Sequence, residues 1–134
     1  MKEATLINYF NGLASAEDLQ KELDVSVDGT RFKIEDFEQT DREFVVAKEH
    51  LLKLCNDFLL ELIRPEGCEV IAFCCIGSST FSWAENNDGN VCGEVLHMWA
   101  APEINYPLNL SNMKKFKILL ESGKDTFTKD DLKK

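Results

Sequence analysis

The sequence predicts a mostly α-helical single domain, a helical bundle around a buried central helix with room for one small hairpin. Three observations predict it. Phe44, Ala47, Leu51, Leu54, Cys55, Phe58 and Leu62 recur at helical spacing, and Val45, Leu52 and Leu59 widen the stripe. Val70 to Ile76 contains no polar residue, as expected of a segment inside a core rather than beside one. Capping signals precede the apolar runs: Ser15 with Asp18, Thr40 with Glu43, and Asn109 or Ser111. The competing arrangement is α+β, with residues 68–76 as a buried strand bracketed by Gly67 and Gly77. Helix is preferred there because only Val70, Ile71 and Ile76 are β-branched and Pro65 sits where a helix begins.

In chain order, Leu6, Tyr9, Phe10 and Leu13 make a short amphipathic helix stopped by Gly12. The capping box at Ser15 starts a second helix carrying Leu19 and Leu23. The period changes at Asp24: Val25 and Val27 alternate with polar residues, Asp28-Gly29 is a turn signal, and Phe32 and Ile34 alternate again, which reads as a hairpin or extended loop. The central helix then spans Phe44 to about Ile63 and ends at Arg64-Pro65. Residues 81–90 are loop-like, with Phe81 and Trp83 as anchors, and a further short helix follows Asn90. Pro102 to Leu110 is extended by its two prolines and carries Ile104, Tyr106 and Leu108 at alternating positions. The last helix places Leu110, Met113, Phe116, Leu119 and Leu120 inward and stops at Gly123. Residues 1–123 thus form the domain, and 124–134 are a polar tail expected to fray.

Composition narrows function by exclusion. The chain of 134 residues is 44% hydrophobic and 29% charged, an ordinary globular balance. Its net charge of −9 argues against nucleic acid or an anionic membrane as direct ligand. No signal peptide or membrane-spanning run is visible, and the five cysteines lie mainly in apolar segments, which suits a reduced, cytoplasmic protein. There is no CxxC, no HExxH, no phosphate loop and no GxSxG elbow. Adjacent Cys74 and Cys75 diverge by about 100° on a helix, and Cys92 and His97 by roughly 140°, so neither pair converges on a metal or a proton-transfer partner. No catalytic, cofactor-binding or metal-ligating residue is therefore expected.

Charge distribution is what remains. Between Ser15 and Glu43 ten acidic residues face four basic ones, and from Asn112 onward the sign reverses. Glu17, Asp18 and Glu43 are explained by helix starts. Asp28, Glu35, Asp36, Glu38 and Asp41 lie in loop-like sequence beside Phe32 and Phe37, and acid with aromatic on a loop is a way to grip a basic partner. Glu85 and Asp88, in a stretch free of lysine and arginine, join them as expected partner-binding residues.

Three segments carry a family resemblance: YFNGLASAEDL (Tyr9–Leu19), CNDFLLELIRPEG (Cys55–Gly67) and MWAAPEINYPLNLSNMKKF (Met98–Phe116). Together they resemble small bacterial immunity proteins of polymorphic toxin and contact-dependent growth inhibition systems. The resemblance implies a cytoplasmic, non-catalytic protein without cofactor that neutralises one cognate toxin domain by covering a functional surface. With the acidity, the expectation is a basic toxin domain such as a nuclease as partner. The alternatives are an adaptor or regulatory interaction module, and, third, an enzyme whose site is assembled from distant residues.

Overall fold

Pro65 decides how the most apolar stretch folds. Its fixed φ and missing N–H suit the first turn of a helix, and the computed structural model places it there, preceded by extended Arg64 (φ −86°, ψ 159°). The structure describes residues 3–26, 43–83 and 87–132, the side chains of 24–26 and 87–90 excepted. Among these residues the chain forms helices α1 (Glu3–Phe10), α2 (Ala16–Ser26), α3 (Lys48–Leu59), α4 (Pro65–Gly77), α5 (Asn87–Ala100) and α6 (Leu110–Ser122). Two short strands, β1 (Phe44–Val45) and β2 (Phe81–Ser82), and a 3-10 turn at Lys129–Leu132 complete it. The fold is mostly α, as the sequence implies.

The helix without a polar face is the one at the centre. In α4, Cys68, Val70, Ile71, Ala72, Cys74 and Cys75 are fully buried. It packs most extensively on α5, while α3 lays its stripe on α6. Leu51, Leu54 and Cys55 of α3 and Met113, Phe116 and Leu120 of α6 fill the core between them. Each end of the core has an aromatic cluster. At one end Phe10 stacks on Phe44 at 5.6 Å, with His50 4.8 Å and Phe81 6.2 Å from Phe44 between ring centres. At the other end Trp99 meets Phe116 edge-on at 5.8 Å, and Phe127 bridges Phe116 (4.7 Å) to Tyr106 (4.0 Å). The second cluster supports the candidate site.

Several local expectations hold. Ser15 Oγ accepts from the Asp18 N–H at 3.1 Å, so the capping box is real, and Leu19 and Leu23 are buried. Gly12 (φ 79°) and Gly123 (φ 75°) both take the left-handed conformation that ends a helix. Asn109 caps α6 through Oδ1, which accepts from the Asn112 N–H at 2.8 Å. Phe81 is buried, and Trp83 packs over α5 where Gly93 leaves room: a Cβ there would lie 2.7 Å from Trp83 Nε1.

Others are corrected. The helix expected at the centre over Phe44–Ile63 is α3, which is shorter at both ends and yields the centre to α4. Phe44 and Val45 form a parallel pair with Phe81 and Ser82, closed by Phe44 N–H on Thr80 O (2.9 Å) and Val46 N–H on Ser82 O (2.7 Å). An aromatic and two valines favour pleated backbone, and a partner strand is available to take them. The helix therefore starts after Ala47, whose N–H donates to His50 Nδ1 at 2.9 Å, and not at the Thr40–Glu43 signal. It ends in a turn where Glu61 takes φ 62°. α2 runs on through Ser26, past the change of period at Asp24; the rest of the expected hairpin lies outside the described residues. α5 begins at Asn87, so Asn90 is within the helix and not its cap. Pro102 to Ile104 form a turn rather than an extended run. Leu13, Val45, Leu62 and Leu110 face solvent instead of the core, the first at 76% exposure. The segment after Gly123 packs back instead of fraying: Phe127 enters the second aromatic cluster, and Asp131 pairs with Lys115 at 2.5 Å.

Candidate functional site

Two adjoining hollows on one side of the molecule make a single groove. The larger, about 480 Å³, is lined by Pro65, Glu66, Glu69, Pro102, Glu103, Pro107 and Leu108. The smaller, about 310 Å³, is lined by Phe58, Glu61, Ile63, Arg64, Pro65, Leu108, Asn109 and Leu110. Pro65 and Leu108 belong to both, so the hollows are continuous. The chain has three prolines, and all three line this groove. Proline walls offer no N–H and lose little conformational freedom when covered, which preforms the surface.

Each wall is fastened from behind. The Pro107 carbonyl accepts from Asn112 Nδ2 at 2.9 Å, and the same buried amide donates to Asp131 O at 3.1 Å. Tyr106 stacks on Phe127, and Asn105 Nδ2 donates to Ala101 O at 2.9 Å, closing the 101–105 turn. On the opposite side the Arg64 N–H donates to Gln20 Oε1 at 2.9 Å, tying the start of α4 to α2. Glu61 takes the left-handed conformation that closes α3, its N–H donating to Phe58 O and the Leu62 N–H to Asp57 O, each at 2.9 Å.

The electrostatics are one-sided. Glu66, Glu69 and Glu103 share the larger hollow, which no basic side chain lines among the described residues; Arg64 lines the smaller one. Burial raises the Glu69 carboxyl above its ordinary value, and the negative charges of Glu103 and Glu66 push it further the same way. Leu110, in the smaller hollow, is an exposed aliphatic, and Leu60, Leu62 and Ile104, neighbours in sequence of the lining residues Glu61 and Glu103, are exposed as well. Carboxylates, rigid apolar walls and exposed aliphatics make a surface suited to a protein ligand.

Elsewhere the reactive groups are silenced or structural. All five cysteines are free and buried. Burial pushes the Cys55 and Cys74 thiols up to about 12 and those of Cys68 and Cys75 well above the ordinary range, so they pack as hydrophobes rather than act as nucleophiles. Cys92 is buried, whereas His97 is exposed with Nδ1 2.7 Å from the Gly93 carbonyl. Tyr9 Oη donates to Asp57, and Lys53 Nζ donates to Tyr9 O at 2.5 Å while standing 4.5 Å from the ring centre. Glu3 is buried with Oε2 accepting from Ser78 Oγ (2.5 Å) and Oε1 from Thr80 Oγ1 (2.6 Å). That clip accounts for the buried hydroxyls of Ser78 and Thr80 after α4. Among the described residues no group of three His, Cys, Asp or Glu is placed to hold a metal ion, and no helix is long and apolar enough to cross a membrane.

Of the residues expected to bind a partner, Asp28, Phe32, Glu35, Asp36, Phe37, Glu38, Asp41 and Glu85 lie outside the described residues. Asp88 falls in the first turn of α5, and its side chain is likewise outside them. The groove carboxylates Glu66 and Glu69 follow Pro65 in the first turns of α4, where acids are ordinary, so sequence alone does not mark them as a site. The available signal was the Pro-Glu dipeptide occurring twice, at Pro65-Glu66 and Pro102-Glu103. No family model matches the chain, and no curated protein or solved structure matches it.

Proposed function

We propose that this protein is a non-catalytic, cytoplasmic binding protein of immunity type, which neutralises a basic toxin domain by covering one of its functional surfaces. The observation that carries this reading is the acidic, proline-walled groove with exposed Leu110 in its apolar end. A site that handles phosphate, as in a nuclease, is positively charged. Carboxylates on a rigid frame compete for such a site and speed encounter with it. The net charge of −9 acts in the same direction over longer range. The buried, protonated thiols favour binding over covalent chemistry.

The test is co-expression with the product of the neighbouring gene. Under this reading the two proteins co-purify as a stable complex, and the chain rescues growth that the other protein arrests. Normal toxicity in its presence, with no complex on gel filtration, rejects the immunity reading.

A further inference from the structure

We infer that the groove receives an extended basic segment of a protein partner, an aliphatic side chain seated at Phe58, Ile63 and Leu110 and an arginine or lysine lying over Pro102 and Pro107 with its charge at Glu69. The inference rests on the binding-protein reading above, but not on the partner being a toxin. The shape argues for a segment: two hollows joined through Pro65 and Leu108 make an elongated track rather than a single pocket. Proline walls match the aliphatic stem of arginine or lysine, which buries along apolar surface while its charge reaches beyond.

Charge complementarity fixes the chemistry. Among the described residues no basic side chain pairs with Glu66, Glu69 or Glu103, and what surrounds Glu69 is burial and two like charges. A cation delivered on a long stem relieves both effects. A bare metal ion does not fit, because the three carboxylates are not placed to share one. The apolar end supplies a second anchor: Phe58 and Ile63 are nearly fully buried at its floor and Leu110 stands half-exposed at its edge. Binding the cation requires Glu69 ionised. Since Glu69 holds its proton above the ordinary 4.5, with Glu66 and Glu103 facing it and Arg64 in the adjoining hollow, occupancy falls off at milder acid than for an isolated carboxylate.

The test uses the full chain, isotopically labelled, titrated by NMR with short acetylated and amidated peptides. Each carries one leucine and one arginine at varied spacing, and the controls carry glutamate in place of arginine. The expected result is amide shifts confined to Glu66–Glu69, Glu103 and Leu108–Leu110, weakening as pH is lowered toward 4.5. Glutamate peptides, and the E66Q/E69Q/E103Q variant titrated with arginine peptides, should bind at least about tenfold more weakly, the equivalent of about 1.4 kcal/mol. Shifts scattered over the surface, parental binding by the triple variant, or no groove shifts from any peptide overturns the inference. The two readings fail separately. A toxin bound equally well by parent and triple variant removes the groove and keeps the immunity function; arginine peptides in the groove without any neutralised toxin do the reverse.

Discussion

Glu3 is a carboxylate with no exposed surface, held by two hydroxyls from the turn after α4, so α1 is fastened to the far end of the central helix by three short side chains. Glu3→Ala leaves both hydroxyls buried without their acceptor and should cost about 1–3 kcal/mol in urea unfolding, whereas exposed Glu49→Ala should change little. Equal costs would show that the clip adds nothing. His50 makes a different prediction. Its Nδ1 accepts from Ala47 and must be unprotonated to do so. Burial lowers its pKa from the ordinary 6.5; Lys53 acts with burial, Glu49 against it. The folded state therefore binds fewer protons here than the unfolded chain. Its contribution to stability is present above 6.5 and is lost as pH falls through the lower folded value. The parent should lose melting temperature on mild acidification more steeply than His50→Asn. Titration of the His50 ring by NMR at or above 6.5 would contradict this.

Elements were legible where their signal was local. The α6 cap, the Ser15 box, the glycine stops and the Pro65 start were visible because each needs only a few neighbouring residues. Asn109→Ala removes the α6 cap and should cost about 1 kcal/mol, read from the urea midpoint. What local sequence could not show depends on remote partners. Phe44 and Val45 continue the helical stripe of α3, yet pair with Phe81 and Ser82, which reach them only after α3 and α4 have folded back. The groove was hidden for the same reason, since Pro65, Pro102 and Pro107 come from segments that meet only in the fold. The segment after Gly123 reads as polar, but one aromatic and one acid, Phe127 and Asp131, suffice to dock it. Phe127→Ala should cost about 1–3 kcal/mol, since Phe127 is only partly buried. It should also shift the amides of Tyr106 and Leu108, because Tyr106 loses the ring it stacks on. Unchanged Tyr106 and Leu108 amides would show that the wall stands without the tail.

At the scale of the whole molecule, acidity occurs in two settings that predict different kinetics. Asp28, Glu35, Asp36 and Glu38 belong to a stretch whose sequence reads as a loop and which lies outside the described residues, whereas Glu66, Glu69 and Glu103 sit against proline in a groove. Charges that steer act before contact: they raise the association rate and are screened within a Debye length of about 8 Å at physiological salt. Charges that grip act after contact, by pairing with a cation that has lost its water. Reversing the four loop charges should therefore lower the on-rate for a basic partner, with the deficit shrinking as salt rises and the off-rate unchanged. Neutralising the three groove carboxylates should raise the off-rate and cost about 2–5 kcal/mol if the partner's cation is left buried and unpaired. Stopped-flow association and dissociation of the purified complex at two salt concentrations separate the two cases. If the loop reversal raises the off-rate while the groove variant is kinetically silent, the interface lies on the loop carboxylates, and the groove belongs to the free surface of the bound protein.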